Sequence, residues 1–265
     1  MPATHADSVS IVVDGRHPLT IEDVVAVARG EANARLSDAD DFLARIGRGA
    51  DLVDRLIAED GVVYGVSTGY GDSCTVAIPP ALVHELPHHL YAYHGVGLGR
   101  FLDADETRAV LLARLVSLAQ GSSGVSVALL RQLQALLQHD ILPRIPAEGS
   151  VGASGDLTPL SYVAAVLCGE REVLHEGAVK PAGEALAAHG LQPLRLRPKE
   201  GLAIMNGTAV MTALACLAWQ RADYLGRLAT RITAFNVVAS AGNAHHFDEA
   251  LFAVKPHPGQ QRVAA

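Results

Sequence analysis

Lysine is nearly absent from this chain: only Lys180, Lys199 and Lys255 occur among 265 residues. Arginine carries most of the positive charge, it is scattered, and the formal net charge is −7. An acidic chain with no basic run is a poor match for nucleic acid or an anionic membrane surface. Cysteine is equally scarce. Cys74, Cys168 and Cys216 are odd in number and far apart, with no Cys-x-x-Cys pair. That argues against a disulfide framework and for packing thiols in a reducing cytoplasm. Met1 to Asp14 lacks a basic segment followed by an apolar stretch, so no signal peptide is expected. Apolar runs are interrupted by Arg, Gln or Asp before they reach membrane-spanning length, so no membrane association is expected either. No internal repeat or low-complexity linker is visible.

What is present is an ordinary globular balance, 49% hydrophobic and 18% charged, enough for one large or two smaller cores. Ser8 to Val13 alternates weakly and reads as a short strand. Thr20 reads as the N-cap of a helix reaching Arg29, with Glu22 and Asp23 in its first turn. A second helix is predicted over Asp38–Asp60. Gly61, Gly65, Gly69 and Gly71 then make a regular element costly, so the stretch from Gly61 to Asp72 is a loop. From Pro80 onward helices dominate. Val127, Leu130, Leu133, Leu137 and Ile141 step as one buried helical face does. Val210, Leu214, Leu217, Leu225, Leu228, Ile232 and Phe235 do the same and predict one long helix from about Gly207 to Ser240. Such a helix belongs to a bundle, or to an assembly in which helices of neighbouring subunits pack. Glu172 to Pro181 reads as a small hairpin turning at Glu176-Gly177. The domain division expected is 1–200, then 201–265 as the start of a long-helix bundle. Lys255 to Ala265 reads as a cut end rather than a finished one.

Two motifs invite chemistry and fail. His84-Glu-Leu-Pro-His88 has zinc-protease spacing, but that chemistry needs both His on one continuous helix face. Pro87 lacks an N–H and belongs near a helix start, which leaves His84 at or outside the edge. His245, His246 and His257 lack matched partners, and no metal is expected. Ser154 resembles a nucleophile elbow, but Asp156 stands where that motif needs its second Gly, and Ile145 to Gly149 reads as a loop rather than a strand.

The run Pro143-Arg-Ile-Pro-Ala-Glu-Gly-Ser-Val-Gly-Ala-Ser-Gly-Asp-Leu-Thr-Pro-Leu-Ser161 resembles the prosthetic-group segment of the histidine, phenylalanine and tyrosine ammonia-lyases. Three further stretches match in order: Tyr64-Gly-Val-Ser-Thr-Gly-Tyr-Gly71, Lys199-Glu-Gly-Leu-Ala-Ile-Met-Asn-Gly-Thr208 and Lys255-Pro-His-Pro-Gly-Gln260. The resemblance runs from about Ile21 to the last residue and identifies the N-terminal part of such a subunit. It implies a mainly α fold, a long-helix bundle of the ammonia-lyase (fumarase/aspartase-like) type with a small N-terminal α/β portion.

The resemblance also implies chemistry. Ala153, Ser154 and Gly155 would cyclise to 4-methylidene-imidazol-5-one (MIO), so no external cofactor is expected. The residue types suit this: Gly155 has no Cβ to block approach to the carbonyl of Ala153, and Ser154 has a β-hydroxyl that can leave as water. Asp156 and Thr158 are expected to cap the following helix, with Pro159 in its first turn. The implied reaction removes ammonia from an aromatic L-amino acid, leaving an α,β-unsaturated acid. Tyr64 is the implied base; a phenol ionises near pH ~10 in water, so its surroundings must favour phenolate. Asn206 bonds substrate or prosthetic group, Gly71 belongs to the substrate side of the loop, and Tyr93-His94 occupies the family's specificity pair. Histidine lyases carry Ser-His there, tyrosine lyases His-Leu and phenylalanine lyases Phe-Leu. His94 fits the histidine pattern and Tyr93 fits none, so histidine or tyrosine is the expected substrate. An aminomutase, or a truncated subunit with a structural role, is the alternative. Family members are homotetramers and considerably longer, and their second half holds the Arg for the substrate carboxylate. A complementary C-terminal half is therefore an expected partner, in the cytoplasm.

Overall fold

Strand β1 (Val9–Val13) pairs in parallel with β2 (Ala32–Leu36), and α1 (Ile21–Ala28) connects them. The computed structural model describes residues 9–59, 61–152 and 155–265. Ala153 and Ser154 lie outside the described residues, as does Ser8 at the start of the expected first strand. Helix α1 starts where the sequence places it. The Thr20 hydroxyl accepts from the Asp23 N–H at 3.1 Å, and the Asp23 carboxylate accepts from the Thr20 N–H at 2.9 Å. This reciprocal cap satisfies two N–H groups the helix would otherwise leave unpaired. Thr20→Ala is expected to cost about 1 kcal/mol, read as a lowered urea midpoint with unchanged slope.

Helix α2 (Asp40–Ala58) buries Phe42, Ile46, Ala50 and Val53, spaced by one turn each. After the glycine-rich loop, a short 3-10 turn (Gly71–Thr75) precedes α3 (Leu86–Tyr93). Pro87 sits in the first turn of α3, so His84 precedes the helix and shares no helix face with His88. Strand β3 (Leu98–Phe101) follows, then α4 (Ala104–Ala119), α5 (Val127–Gln138), β4 (Leu142–Pro143), β5 (Pro146–Glu148) and α6 (Leu157–Leu167). Ile145 to Gly149, expected as a loop, instead contains β5, because β3 supplies an antiparallel partner. Next come β6 (Glu172–His175) and β7 (Ala178–Pro181), the expected hairpin. Glu176 and Gly177 both take positive φ, 52° and 74°, as a two-residue turn matched to strand twist requires. Strand β4 extends this hairpin to three strands in the order β4-β6-β7.

The chain ends with α7 (Ala182–Ala188), α8 (Glu200–Met205), α9 (Ala209–Ala239), α10 (Glu249–Ala253) and α11 (Pro258–Ala264). It forms two compact units, one up to Leu217 and one over Ala218–Ala265. The core of the first is built on α4, α5 and α6, where Leu111, Leu112, Leu115, Leu129, Leu133 and Leu160 have no exposed surface. From Ala109 onward, helix α4 is apolar except for Arg114 and Ser117, as a helix covered on most sides must be. The predicted apolar stripe of α9 divides: Val210 and Leu217 are buried, whereas Leu225, Leu228, Ile232 and Phe235 are exposed. Contrary to the sequence reading, Glu200–Ala239 is long and apolar enough to cross a membrane by length and composition alone. It is two helices, α8 and α9, and half of the most apolar window is buried in protein.

Candidate active site

Helix α8 is the piece on which the expected site motifs meet. All six of its residues are buried. Near its start, Gly201 lies so close to Pro87 of α3 that an added Cβ would stand 2.8 Å from the Pro87 Cα. One residue on, the Leu202 side chain packs on the tyrosine loop, 2.8 Å from where a Cβ of Gly65 would be. At its C-terminal end, Asn206 and Gly207 press against Gly155. A Cβ on Gly155 would stand 2.4 Å from the Gly207 nitrogen and 3.0 Å from Asn206 Nδ2. Gly155 also has φ +89°, a conformation that side-chain-bearing residues rarely adopt. Only glycine fits there, for both reasons.

Tyr64 and Tyr70 meet edge to face, with centroids 6.5 Å apart. Burial holds the Tyr70 phenol well above its ordinary pKa, and the neighbouring Tyr64 adds to the effect, so Tyr70 stays protonated. Tyr64 is half exposed, and its oxygen accepts the Gly71 N–H at 2.9 Å. The two phenols of one loop are thus differentiated by burial, and Tyr64 is the one open to solvent. Gly71 is itself exposed, at φ +56°.

Tyr93 ends α3 and is 79% exposed, while His94 is half-buried with Nδ1 3.0 Å from the Leu90 carbonyl. Because that carbonyl can only accept, Nδ1 carries the proton and Nε2 is left as an acceptor. The chain beyond His94 runs along the approach to the glycine turn. A Cβ on Gly97 would meet Pro146 at 2.8 Å, and one on Gly149 would meet Thr158 at 2.5 Å.

Asp156 does something the sequence does not reveal. It was expected to cap α6, but it makes no side-chain hydrogen bond to that helix, and Thr158 lies inside the helix rather than at its cap. Instead, one Asp156 carboxylate oxygen accepts from the N–H groups of Val210 and Met211, at 2.9 and 3.0 Å, capping α9. The other accepts from the Ser150 hydroxyl at 2.6 Å, and the Asp156 N–H donates to the Gly207 carbonyl at 2.7 Å. The carboxylate is 1% exposed. Four groups, from the glycine turn, the Asn-Gly segment and α9, are tied together by one residue, three through its carboxylate and one through its N–H. The N-terminal end of α9 favours a negative charge for a second reason, its helix dipole.

Arg114, on α4, was also missed. Its guanidinium donates to the Ala203 carbonyl of α8 and lies directly beneath Gly207. Burial lowers its pKa to about 10, and the negative charge of Asp156 pulls the other way, so it remains a cation at neutral pH. Its Nε has no hydrogen-bond partner among the described residues. A lone Arg in the apolar run Ala109 to Ala119 was the available signal.

The aromatic amino acid lyase family model matches residues 19–265, and the chain belongs to that family. A histidine ammonia-lyase of Gloeobacter violaceus is 43% identical over 96% of this chain and 49% of its own length. The crystal structure of a tyrosine aminomutase from Streptomyces globisporus superposes with a TM-score of 0.88 at 36% identity, over 97% of this chain and 48% of that one. A histidine ammonia-lyase structure from Trypanosoma cruzi gives 0.86 at 31% identity, over 96% and 49%. The chain spans about half the length of these relatives.

Proposed function

We propose that this chain carries the electrophile-bearing half of an ammonia-lyase that converts an aromatic L-amino acid, histidine or tyrosine, to the α,β-unsaturated acid. The observation that carries this reading is the junction of Gly155 with Asn206 and Gly207, where a glycine held at positive φ closes against the Asn-Gly segment. That cradle fits an Ala153-Ser154-Gly155 segment cyclised to MIO, because any side chain at Gly155 would collide with backbone. Once formed, the MIO group supplies the electrophile that makes the substrate amine a leaving group.

The remaining work falls to ordinary side chains. Tyr64 takes the β-proton; the C–H electron pair becomes the new double bond as the C–N bond breaks and ammonia departs. The Gly71 N–H fixes the Tyr64 oxygen from one side and leaves its other side for the substrate. Asn206, at the end of α8, bonds the substrate or the prosthetic group. His94, with Nε2 as acceptor, meets a polar substrate ring, and Tyr93 adds a phenol beside it. Tyr64→Phe is expected to lower kcat about a hundredfold with little change in KM, measured as initial rates.

An aminomutase, returning ammonia to the β-carbon, is the second reading, favoured by the likeness to the tyrosine aminomutase structure. The exposed apolar residues of α9 support assembly into a homotetramer and with a complementary C-terminal half. A cytoplasmic location is part of the same proposal. The test is incubation with histidine, tyrosine and phenylalanine separately, with and without a complementary half. Ultraviolet absorbance reports unsaturated acid, chromatography reports β-amino acid, and intact mass reports the loss of two waters. A chain that keeps both waters overturns the proposal in favour of a non-catalytic structural subunit.

A further inference from the structure

Three histidines remote in sequence converge where no site motif lies. His139 caps the C-terminus of α5, His175 ends β6, and His189 caps the C-terminus of α7. The Nε2 atoms of His175 and His189 face each other at 3.2 Å, with their rings 79° apart. The His139 ring stacks on that of His189, with centroids 4.2 Å apart. His175 is buried, whereas His139 and His189 are open to solvent.

We propose that His175 and His189 bind a divalent transition-metal ion of the zinc class between their Nε2 atoms. The first reason is tautomer. His175 Nδ1 faces the Asp140 carbonyl at 3.4 Å, and because a carbonyl only accepts, the proton sits on Nδ1 and the Nε2 lone pair is directed at His189. Proteins orient metal-ligating imidazoles in this way, with the distal N–H held by a backbone carbonyl. The second reason is spacing. Two nitrogens on one tetrahedral zinc, each at about 2.0–2.1 Å from it, stand roughly 3.3 Å apart. The separation here is 3.2 Å, so an ion can sit beside the line between the two nitrogens once both rings turn their lone pairs toward it.

Two carboxylates lie near the pair, each with a cationic partner, and the shell is open. The Glu176 carboxylate is 3.9 Å from His175 Nε2 and is held by Lys180 at 2.6 Å. The Asp140 carboxylate, next to His139 in sequence, is paired with Arg108. No three His, Cys, Asp or Glu side chains among the described residues form a ready cage. The two imidazoles therefore supply the first ligands, water completes the shell, and Glu176 is the next protein donor within reach. Imidazole ligands suit zinc, copper and nickel rather than magnesium or calcium. The ion would fasten the hairpin of β6 and β7 to α7.

The test is calorimetric titration of the untagged chain with zinc and with nickel in a non-chelating buffer, alongside thermal unfolding. Uptake of a single ion is expected, with a raised unfolding temperature in excess metal. His189→Ala changes an exposed ring and is expected to keep the fold by circular dichroism. It should bind at least about tenfold more weakly and lose the thermal shift. His88→Ala is the control: His84, His88 and His89 line a separate cleft of about 340 Å³ and form a second histidine cluster able to attract metal. Its binding should match the native chain. Absence of uptake by the native chain, unchanged affinity in His189→Ala, or a loss that follows His88 would each overturn the proposal. None of these outcomes bears on the lyase reading, which uses neither cluster.

Discussion

Ser154→Ala is expected to yield a chain that cannot lose the second water and forms no unsaturated acid from histidine, tyrosine or phenylalanine. The reason is chemical rather than steric. Cyclising the segment between Ala153 and Gly155 removes one water, and the exocyclic double bond removes a second, which can come only from the Ser154 β-hydroxyl. Alanine has nothing there to lose. The substitution deletes one oxygen and leaves the flanking turn residues Gly152 and Gly155 in place, at φ +68° and +89°. Stability should therefore stay within about 0.5 kcal/mol of the native chain by urea unfolding. Gly155→Ala makes a useful contrast. Its Cβ would stand 2.4 Å from the Gly207 nitrogen at a strained φ, so stability and cyclisation should fall together. Turnover persisting in Ser154→Ala would refute the proposed electrophile.

The helices and the family motifs were legible because they are local. Thr20 and Asp23 announce a helix start three residues apart, and α1 begins where they say. Glu176-Gly177 announces a turn within two residues, and β6 and β7 flank it. What escaped depends on partners distant in the chain. Ala32 to Leu36 has little β-branched character, and it is a strand because β1 lies beside it. Pro146 to Glu148 looks like a loop until β3 pairs with it. The stripe on α9 is continuous in sequence, yet burial stops after Leu217, because periodicity reveals an apolar face and not what covers it. The candidate site follows the same rule. Tyr64, Gly155 and Asn206 were named from motifs, but no motif says that α8 carries the contacts of all three segments, or that Arg114 lies beneath Gly207.

Asp156 is where that gap has the largest energetic consequence. A carboxylate just before a helix reads as that helix's cap, yet its acceptors serve Val210 and Met211, more than fifty residues on. Asp156→Ala leaves those two N–H groups and the Ser150 hydroxyl without their acceptor. It also strips the Arg114 cation of the negative charge that offsets its burial. Removing one partner of a buried charged network costs about 3–5 kcal/mol, against a typical total stability of about 5–15 kcal/mol. Asp156→Asn separates the two contributions. Its amide oxygen can still accept from α9 and its amide NH2 can donate to Ser150, so only the charge is lost and the cost should fall to about 1–3 kcal/mol. Urea unfolding of both variants beside Arg114→Met decides the matter. If charge balance governs, Asp156→Asn combined with Arg114→Met should be less destabilised than the sum of the two single changes. Strict additivity would reduce Asp156 to a helix cap and remove Arg114 from the account.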